Sequence, residues 1–146
     1  MVNLYDLSEE YNKIIFELIS RTKLSPVKEN KHAAAVFKNN KIIYFGYNGR
    51  NSNEHAEISA IYNALNHFIK LDKNKISSRK HLTNLNMNKI SFRKLNLIVI
   101  RYKSSGLKMS KPCKKCQEVI DNFDFKNIYY SDQDGKIQRL HRQKNN

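Results

Sequence analysis

His55-Ala56-Glu57 and Pro112-Cys113-Lys114-Lys115-Cys116 decide the reading of this chain, because each opens a helical run and together they hold one donor set. One imidazole and two thiolates are the ligands of a catalytic zinc site whose fourth tetrahedral position stays open to water. Cys113 and Cys116 stand at i and i+3, so both sulfurs project from one side of a first helical turn. The partial positive charge of a helix start favours thiolate over thiol. His55 also falls in the first turn of its helix, so two helix starts converge. In α/β sheets ligands bind at that place, where strands end and helices begin. Taken singly, the two cysteines read as small buried residues and His55 as a satisfied core histidine. Glu57 and Pro112, in register with them, favour the joint reading of a metal tripod with a carboxylate proton shuttle beside it.

Outward from these stretches, the helix of the histidine runs from about Glu54 to Ile69. Its apolar residues Ile58, Ile61, Tyr62, Leu65, Phe68 and Ile69 recur at the 3.6-residue period. This spacing puts His55 on the buried face and turns Glu57 toward a flank. The cysteine helix runs from Pro112 to about Phe123, with proline at a first position where its missing N–H costs nothing. Cys113, Cys116, Val119, Ile120 and Phe123 share its buried face. An earlier amphipathic helix spans Ser8 to Arg21, capped by Ser8 and closed by Ser25-Pro26. His32 to Phe37 and Ile42 to Tyr47 form a hairpin turning at Lys38 to Lys41, and Gly46 to Asn53 is a loop. Leu95 to Tyr102 is apolar on both faces, as a central strand is, and Ser104 to Lys111 is a loop. Asn127 to Ser131 is a strand, and Asp132-Gln133-Asp134-Gly135 turns the chain into an antiparallel partner at Lys136 to Leu140. The order predicts a three-layer α/β/α domain, a mixed central sheet of four to five strands with helices on both faces. Residues 1–146 form one domain, with a basic insertion at about 71–94 that includes a short helical piece around Met87 to Phe92.

Size and composition set outer bounds. A chain of 146 residues is long enough to bury a real core. No apolar stretch approaches the roughly 20 residues that span a bilayer, and Met1 to Lys13 does not resemble a secretory signal. Two cysteines in a C-x-x-C agree with a cytoplasmic location, where such pairs read as metal or redox sites. The formal charge of +14, from 27 basic and 13 acidic residues, is compatible with a nucleic-acid partner. The wealth of Asn, Ile, Tyr and Phe beside Lys points equally to AT-biased coding. His32, His67, His81 and His141 lack partners at ligand spacing and are read as ordinary.

The H-x-E…P-C-x-x-C pattern formed by His55, Glu57, Pro112, Cys113 and Cys116 is the signature of zinc deaminases. Over most of its length the chain resembles the cytidine and deoxycytidylate deaminase superfamily, with His32 to Phe37 and Ile42 to Tyr47 similar to its first two strands. The resemblance implies one catalytic Zn2+ per chain held by His55, Cys113 and Cys116, with Glu57 as the proton carrier. Gly46-Tyr47-Asn48 resembles the segment whose asparagine contacts the substrate, which assigns Asn48 to substrate binding; a turn-forming asparagine before Gly49 is an equally good explanation. Backbone N–H groups near the motif, those of Ala56 and Cys113, are the family's other substrate contacts. The implied activity is hydrolysis of a C–N bond in a cyclic amidine, with water replacing the amino group of the base as ammonia leaves.

Features of the chain divide over the substrate. Cys113 to Phe123 is similar to the matching helix of free cytidine deaminases, and an antiparallel last strand belongs to that group. Against this, His55 stands where those enzymes usually have cysteine, and Arg50 occupies the place of their ribose-binding glutamate, which would suit a phosphate. The 54 residues between Glu57 and Pro112 are about twice the family's usual spacing. The insertion accounts for the excess and carries Lys73, Lys75, Arg79, Lys80, Lys89, Arg93 and Lys94. It joins the far end of a 16-residue helix, about 24 Å from the zinc edge of the sheet. The leading expectation is a deaminase of a small cytosine-containing nucleoside or nucleotide, homo-oligomeric as the family commonly is. The alternatives are a deaminase of bases in RNA or single-stranded DNA, and a non-catalytic zinc module that binds nucleic acid. Glu57 argues against the last, since a glutamate that binds no metal has no structural task there.

Overall fold

The computed structural model describes residues 10–25, 27, 31–49, 55–71, 92–103 and 106–141. The expectations for Ser8, Pro26, Arg50, the helical piece near Met87 and most of the basic insertion lie outside them. So do those for the side chains of Phe68 and Ile69. Among the described residues the elements are α1 (Asn12–Thr22), β1 (His32–Lys38), β2 (Lys41–Tyr47), α2 (Ala56–Leu71) and β3 (Asn96–Lys103). They continue with β4 (Gly106–Lys108), α3 (Lys114–Ile120), β5 (Asn127–Ser131) and β6 (Ile137–Arg139).

The strands form one mixed sheet in the order β2-β1-β3-β5-β6, with β4 paired to β3 off that path. β1 is antiparallel to both neighbours, β3 runs parallel to β5, and β6 returns antiparallel to β5. Five strands in line agree with the sequence reading. The sixth, β4, lies in the stretch expected to be a loop; at three residues it is too short to show an alternating pattern. It forms because the chain after β3 doubles back, setting Leu107 opposite Tyr102 and Lys108 opposite Arg101.

Alternation along the strands builds two cores. Ala33, Ala35, Phe37, Ile98, Ile100, Tyr129 and Ile137 face α1, where Ile14, Ile15 and Leu18 meet them. Ala34, Val36, Leu97, Val99 and Ile128 face the other way, onto Ala56, Ala60, Ile61, Ala64 and Leu65 of α2 and Ile120 of α3. Leu97 to Ile100 are each fully buried, so β3 is the central strand that its continuous apolar run predicts. α1 begins later than expected, with Tyr11 at its N-cap and no side-chain cap bond. Tertiary packing sets that start: the Tyr11 ring lies edge-on to Phe37, and its hydroxyl meets that of Tyr129 at 2.9 Å. Where the insertion rejoins the sheet, Phe92 is fully buried and stacked on Phe125 at 4.9 Å.

The register of α2 corrects the sequence reading. Its sheet-facing stripe is Ala56, Glu57, Ala60, Ile61, Ala64 and Leu65, all buried, whereas Ile58 and Tyr62 are only half-buried. A hydrophobic pattern weights large side chains, but this helix lies so close to the sheet that alanines are what fit. Gly46, where the expected strand Ile42 to Tyr47 and the expected loop Gly46 to Asn53 overlap, is inside β2 and explains the distance. A Cβ there would stand 2.6 Å from Ser59 Cβ and 2.7 Å from the Ser59 carbonyl carbon, inside any tolerable contact. Gly46→Ala must therefore push β2 and α2 apart. It is expected to lower stability by about 1–3 kcal/mol, the usual cost of overpacking, read as a lower urea midpoint with an unchanged slope.

Candidate active site

One edge of the sheet gathers the start of β1 and the ends of β2, β3 and β5. His32, Asn48, Arg101 and Ser131 mark these strand ends, and the starts of α2 and α3 face them. His55 immediately precedes α2, and its carbonyl accepts the Ser59 N–H at 3.0 Å, which is the first turn of that helix. Cys113 is the N-cap of α3 in an extended conformation, φ −67° and ψ 167°, and its carbonyl accepts Gln117 N–H at 2.8 Å. The expected helix from Pro112 to Phe123 is thus shorter at both ends. Pro112 stands before the cap rather than inside the first turn, and the helix stops at Ile120, so Cys113 and Val119 are exposed while Cys116 is buried.

The two helix starts bring the predicted tripod together. Among the described residues, His55, Cys113 and Cys116 form the one group of possible metal ligands, with ligand atoms all within 4.8 Å of one another. A tetrahedron built on metal bonds of about 2.0–2.3 Å has edges of about 3.3–3.8 Å, so a bound ion would draw the three ligand atoms closer together. His55 Nδ1 lies 3.2 Å from Cys116 Sγ. One nitrogen and two sulfurs are a soft, borderline set that fits zinc and leaves a coordination position unfilled by protein.

Glu57 occupies a different place from the one expected. Its residue is 5% exposed, whereas the side chain of His55 is 41% exposed, so the carboxylate and not the imidazole lies against the sheet. The register of α2 is the cause: Glu57 heads the row Glu57, Ile61, Leu65. Its Oε1 is 3.9 Å from His55 Nδ1, beside the tripod without belonging to it. Burial pushes the Glu57 carboxyl above the usual carboxylate range, against its own backbone N–H, His55 and the Cys116 thiol, which favour the charged form. Burial, then the charge of Glu57 and the hydrogen bond with Cys113, push the Cys116 thiol up as well. The helix start alone does not yield a thiolate at Cys116; a cation in the tripod would have to displace the proton.

Asn48 stands at the end of β2. Its Oδ1 accepts the His32 N–H at 3.0 Å and lies 2.8 Å from the Ser25 hydroxyl, and its own N–H donates to the His32 carbonyl at 3.2 Å. Asn48 is therefore held in place by the structure as well as being near the site. Ala56 is buried in the first turn of α2.

Sequence reasoning missed His32. Its Nδ1 is 3.0 Å from the hydroxyl of Ser110, which is itself 4% exposed and three residues ahead of Cys113. Burial, then the charges of Arg101 and His55, lower its pKa to about 4, so the ring is neutral at physiological pH. No spacing rule could show this, because the partner is 78 residues away.

The sequence model of the cytidine and deoxycytidylate deaminase zinc-binding region matches residues 7–132. That covers most of the chain, which belongs to this family. The fold is also similar to that in a crystal structure of the cytidine deaminase of Burkholderia pseudomallei, with a TM-score of 0.52 at 15% identity. The match covers 96% of this chain and 92% of that one. No curated protein sequence matches the chain significantly. Among the described residues, no helix is long and apolar enough to cross a membrane.

Two outcomes follow from this geometry. Replacing His55, Cys113 or Cys116 with alanine is expected to abolish stoichiometric zinc, as counted by elemental analysis. Zinc uptake by the unaltered protein should release protons, seen as a dependence of the calorimetric heat on buffer ionisation. The second concerns acid. The folded state resists protonation of His32 while an unfolded chain takes the proton near 6.5, so stability is full above that value and lost as pH falls toward about 4. The loss attributable to His32 is roughly 2–3 kcal/mol, and His32→Asn, which does not titrate, is expected to remove that part of the acid slope in urea titrations.

Proposed function

We propose that this protein is a zinc-dependent hydrolytic deaminase of a small cytosine-containing nucleoside or nucleotide. The observation that carries the reading is a buried glutamate beside, but outside, a His55–Cys113–Cys116 tripod. When bound there, zinc supplies a Lewis acid that brings the pKa of water from 15.7 toward roughly 7. Glu57, with its raised proton affinity, takes a proton from the attacking water and passes it to the ring nitrogen, then to the departing amine. A C–O bond forms at C4 of the base, the C–N bond breaks, and the products are the uracil form and ammonia.

Asn48 and the backbone N–H groups of Ala56 and Cys113 are the proposed substrate contacts. Asn48 Oδ1 accepts the His32 N–H and lies 2.8 Å from the Ser25 hydroxyl, which holds the side chain in place at the end of β2. The small-molecule reading is supported by the antiparallel pairing of β5 with β6, the arrangement expected of free cytidine deaminases. Asp132 builds that hairpin: its Oδ1 accepts the N–H groups of Asp134 and Lys136, both at 2.9 Å. A second reading, a base within RNA or single-stranded DNA, is favoured by the exposed Lys103, Lys108, Lys111, Lys114 and Lys115 on the segments leading into and out of Cys113. Those ammonium groups suit a phosphate backbone.

The test is ammonia release and product mass from zinc-loaded protein offered cytidine, deoxycytidine, CMP, dCMP, cytosine, adenosine, a transfer RNA and a single-stranded DNA. A monomeric cytosine compound is expected to turn over, and Glu57→Gln to lower the rate by about 10²–10⁴-fold, the worth of general acid–base transfer. Turnover of polymers alone, weakening steeply with salt, would establish the second reading. Silence across the panel with stoichiometric zinc would overturn both.

A further inference from the structure

We propose that His32 is a positioning residue that sets the spacing between the thiol-bearing loop and the Asn48 wall of the site, holding Ser110 with its ring and Asn48 with its backbone. The inference rests on the reading of the tripod as a zinc site and deepens it. His32 is the first residue of β1, ahead of the buried run Ala33 to Phe37. On one side its N–H and carbonyl both pair with Asn48, at 3.0 and 3.2 Å. On the other its Nδ1 reaches Ser110 Oγ at 3.0 Å.

Ser110 is a fixed anchor for the run that ends in Cys113. Its N–H donates to the Ser131 carbonyl at 2.8 Å. The Ser131 hydroxyl, fully buried, donates to the Lys108 carbonyl at 2.6 Å and accepts the Arg101 N–H at 3.2 Å. Downstream, Gln117 Nε2 donates to the Pro112 carbonyl at 2.8 Å. Only Lys111 separates Ser110 from the stiff Pro112, so a hydrogen bond at Ser110 is felt at Cys113. An imidazole is an expensive way to fill a strand start beside two apolar cores, because burying a polar ring costs free energy unless it is bonded. Outer groups that hold a ligand in place matter in metal sites: their loss usually costs 10–100-fold in affinity or activity.

The test uses the full chain with His32→Ala, Ser110→Ala, the double variant and His32→Asn, whose amide reaches the position of Nδ1. Zinc dissociation constants come from chelator competition, and ligand geometry from the visible absorption of the cobalt-loaded protein. Each alanine variant is expected to weaken zinc about 10-fold or more and to alter the cobalt spectrum. The double variant should be no worse than the poorer single, since both remove one hydrogen bond, and His32→Asn should restore most of the affinity. Unchanged affinity and spectrum in His32→Ala, additive losses in the double variant, or no rescue by asparagine would each overturn the inference. If His32→Ala does not fold, Ser110→Ala and His32→Asn still decide: unaltered zinc affinity in Ser110→Ala would overturn it. A wild-type chain that binds zinc and turns over substrate while the variants match it sinks this inference alone. A wild-type chain that holds no zinc sinks the proposed function, and this inference with it.

Discussion

The close approach of α2 to the sheet is the constraint on which the site depends. Gly46 removes a side chain from β2, and Ala56, Ala60 and Ala64 remove bulk from the helix, so the two backbones come nearly into contact. Only at that distance and rotation does Glu57 fall on the buried row with Ile61 and Leu65. A rotation of two residues, about 200°, would exchange the exposures of His55 and Glu57. The carboxylate would then be solvated, with an ordinary proton affinity, and the imidazole would be hidden among alanines. Packing between β2 and α2 therefore decides that Glu57 is the buried group and His55 the exposed one.

That arrangement opposes stability, as functional sites commonly do. A carboxylate and a thiol (Glu57 and Cys116) are buried and a neutral imidazole (His32) is half-buried at one sheet edge, and loss of solvent disfavours the charged form of each. A cation resolves the conflict for the thiol by replacing its proton and, through its charge, favours the ionised carboxylate nearby. A cation bound there would thus be tied to the stability of the folded chain. Two features keep the edge rigid. The Ser131 hydroxyl joins β3, β4 and β5, and the Ser25–Asn48–His32 bonds join the end of α1 to the hairpin.

What was legible in the sequence had a local cause. Leu97 to Ile100 read as a central strand because being apolar on both faces has no other outcome in a layered domain. The turn at Asp132 to Gly135 was legible because Asp132 accepts neighbouring N–H groups and Gly135 takes φ +79°. The tripod was legible through residue types whose shared chemistry outweighs any one position. The rotation of α2 was not, because alanine adds little to a hydrophobic pattern, and the reason for alanine is a glycine on another strand. The start of α1 was misplaced because an aromatic contact to β1 and β5, not a capping side chain, fixes it. β4 and His32 escaped for the same reason: their partners are set by the fold and not by nearby sequence.

The same distinction bears on the charge. Net charge sums over the whole chain and has no address, so +14 alone cannot separate a polyanion-binding surface from codon bias. Placement adds detail. Among the described residues, Lys103, Lys108, Lys111, Lys114 and Lys115 are exposed along the segments that flank Cys113, while Lys13, Lys23, Lys38, Lys41, Lys94 and Lys126 are exposed elsewhere. Such scatter is what biased coding produces. The lysines beside Cys113 would still draw an anion toward that end of the sheet, and that holds for one phosphate on a nucleotide as for many on a strand. For an anionic substrate, the lysines around Cys113 would bear on its arrival, and how far along the surface the charge continues would bear on the length it could have.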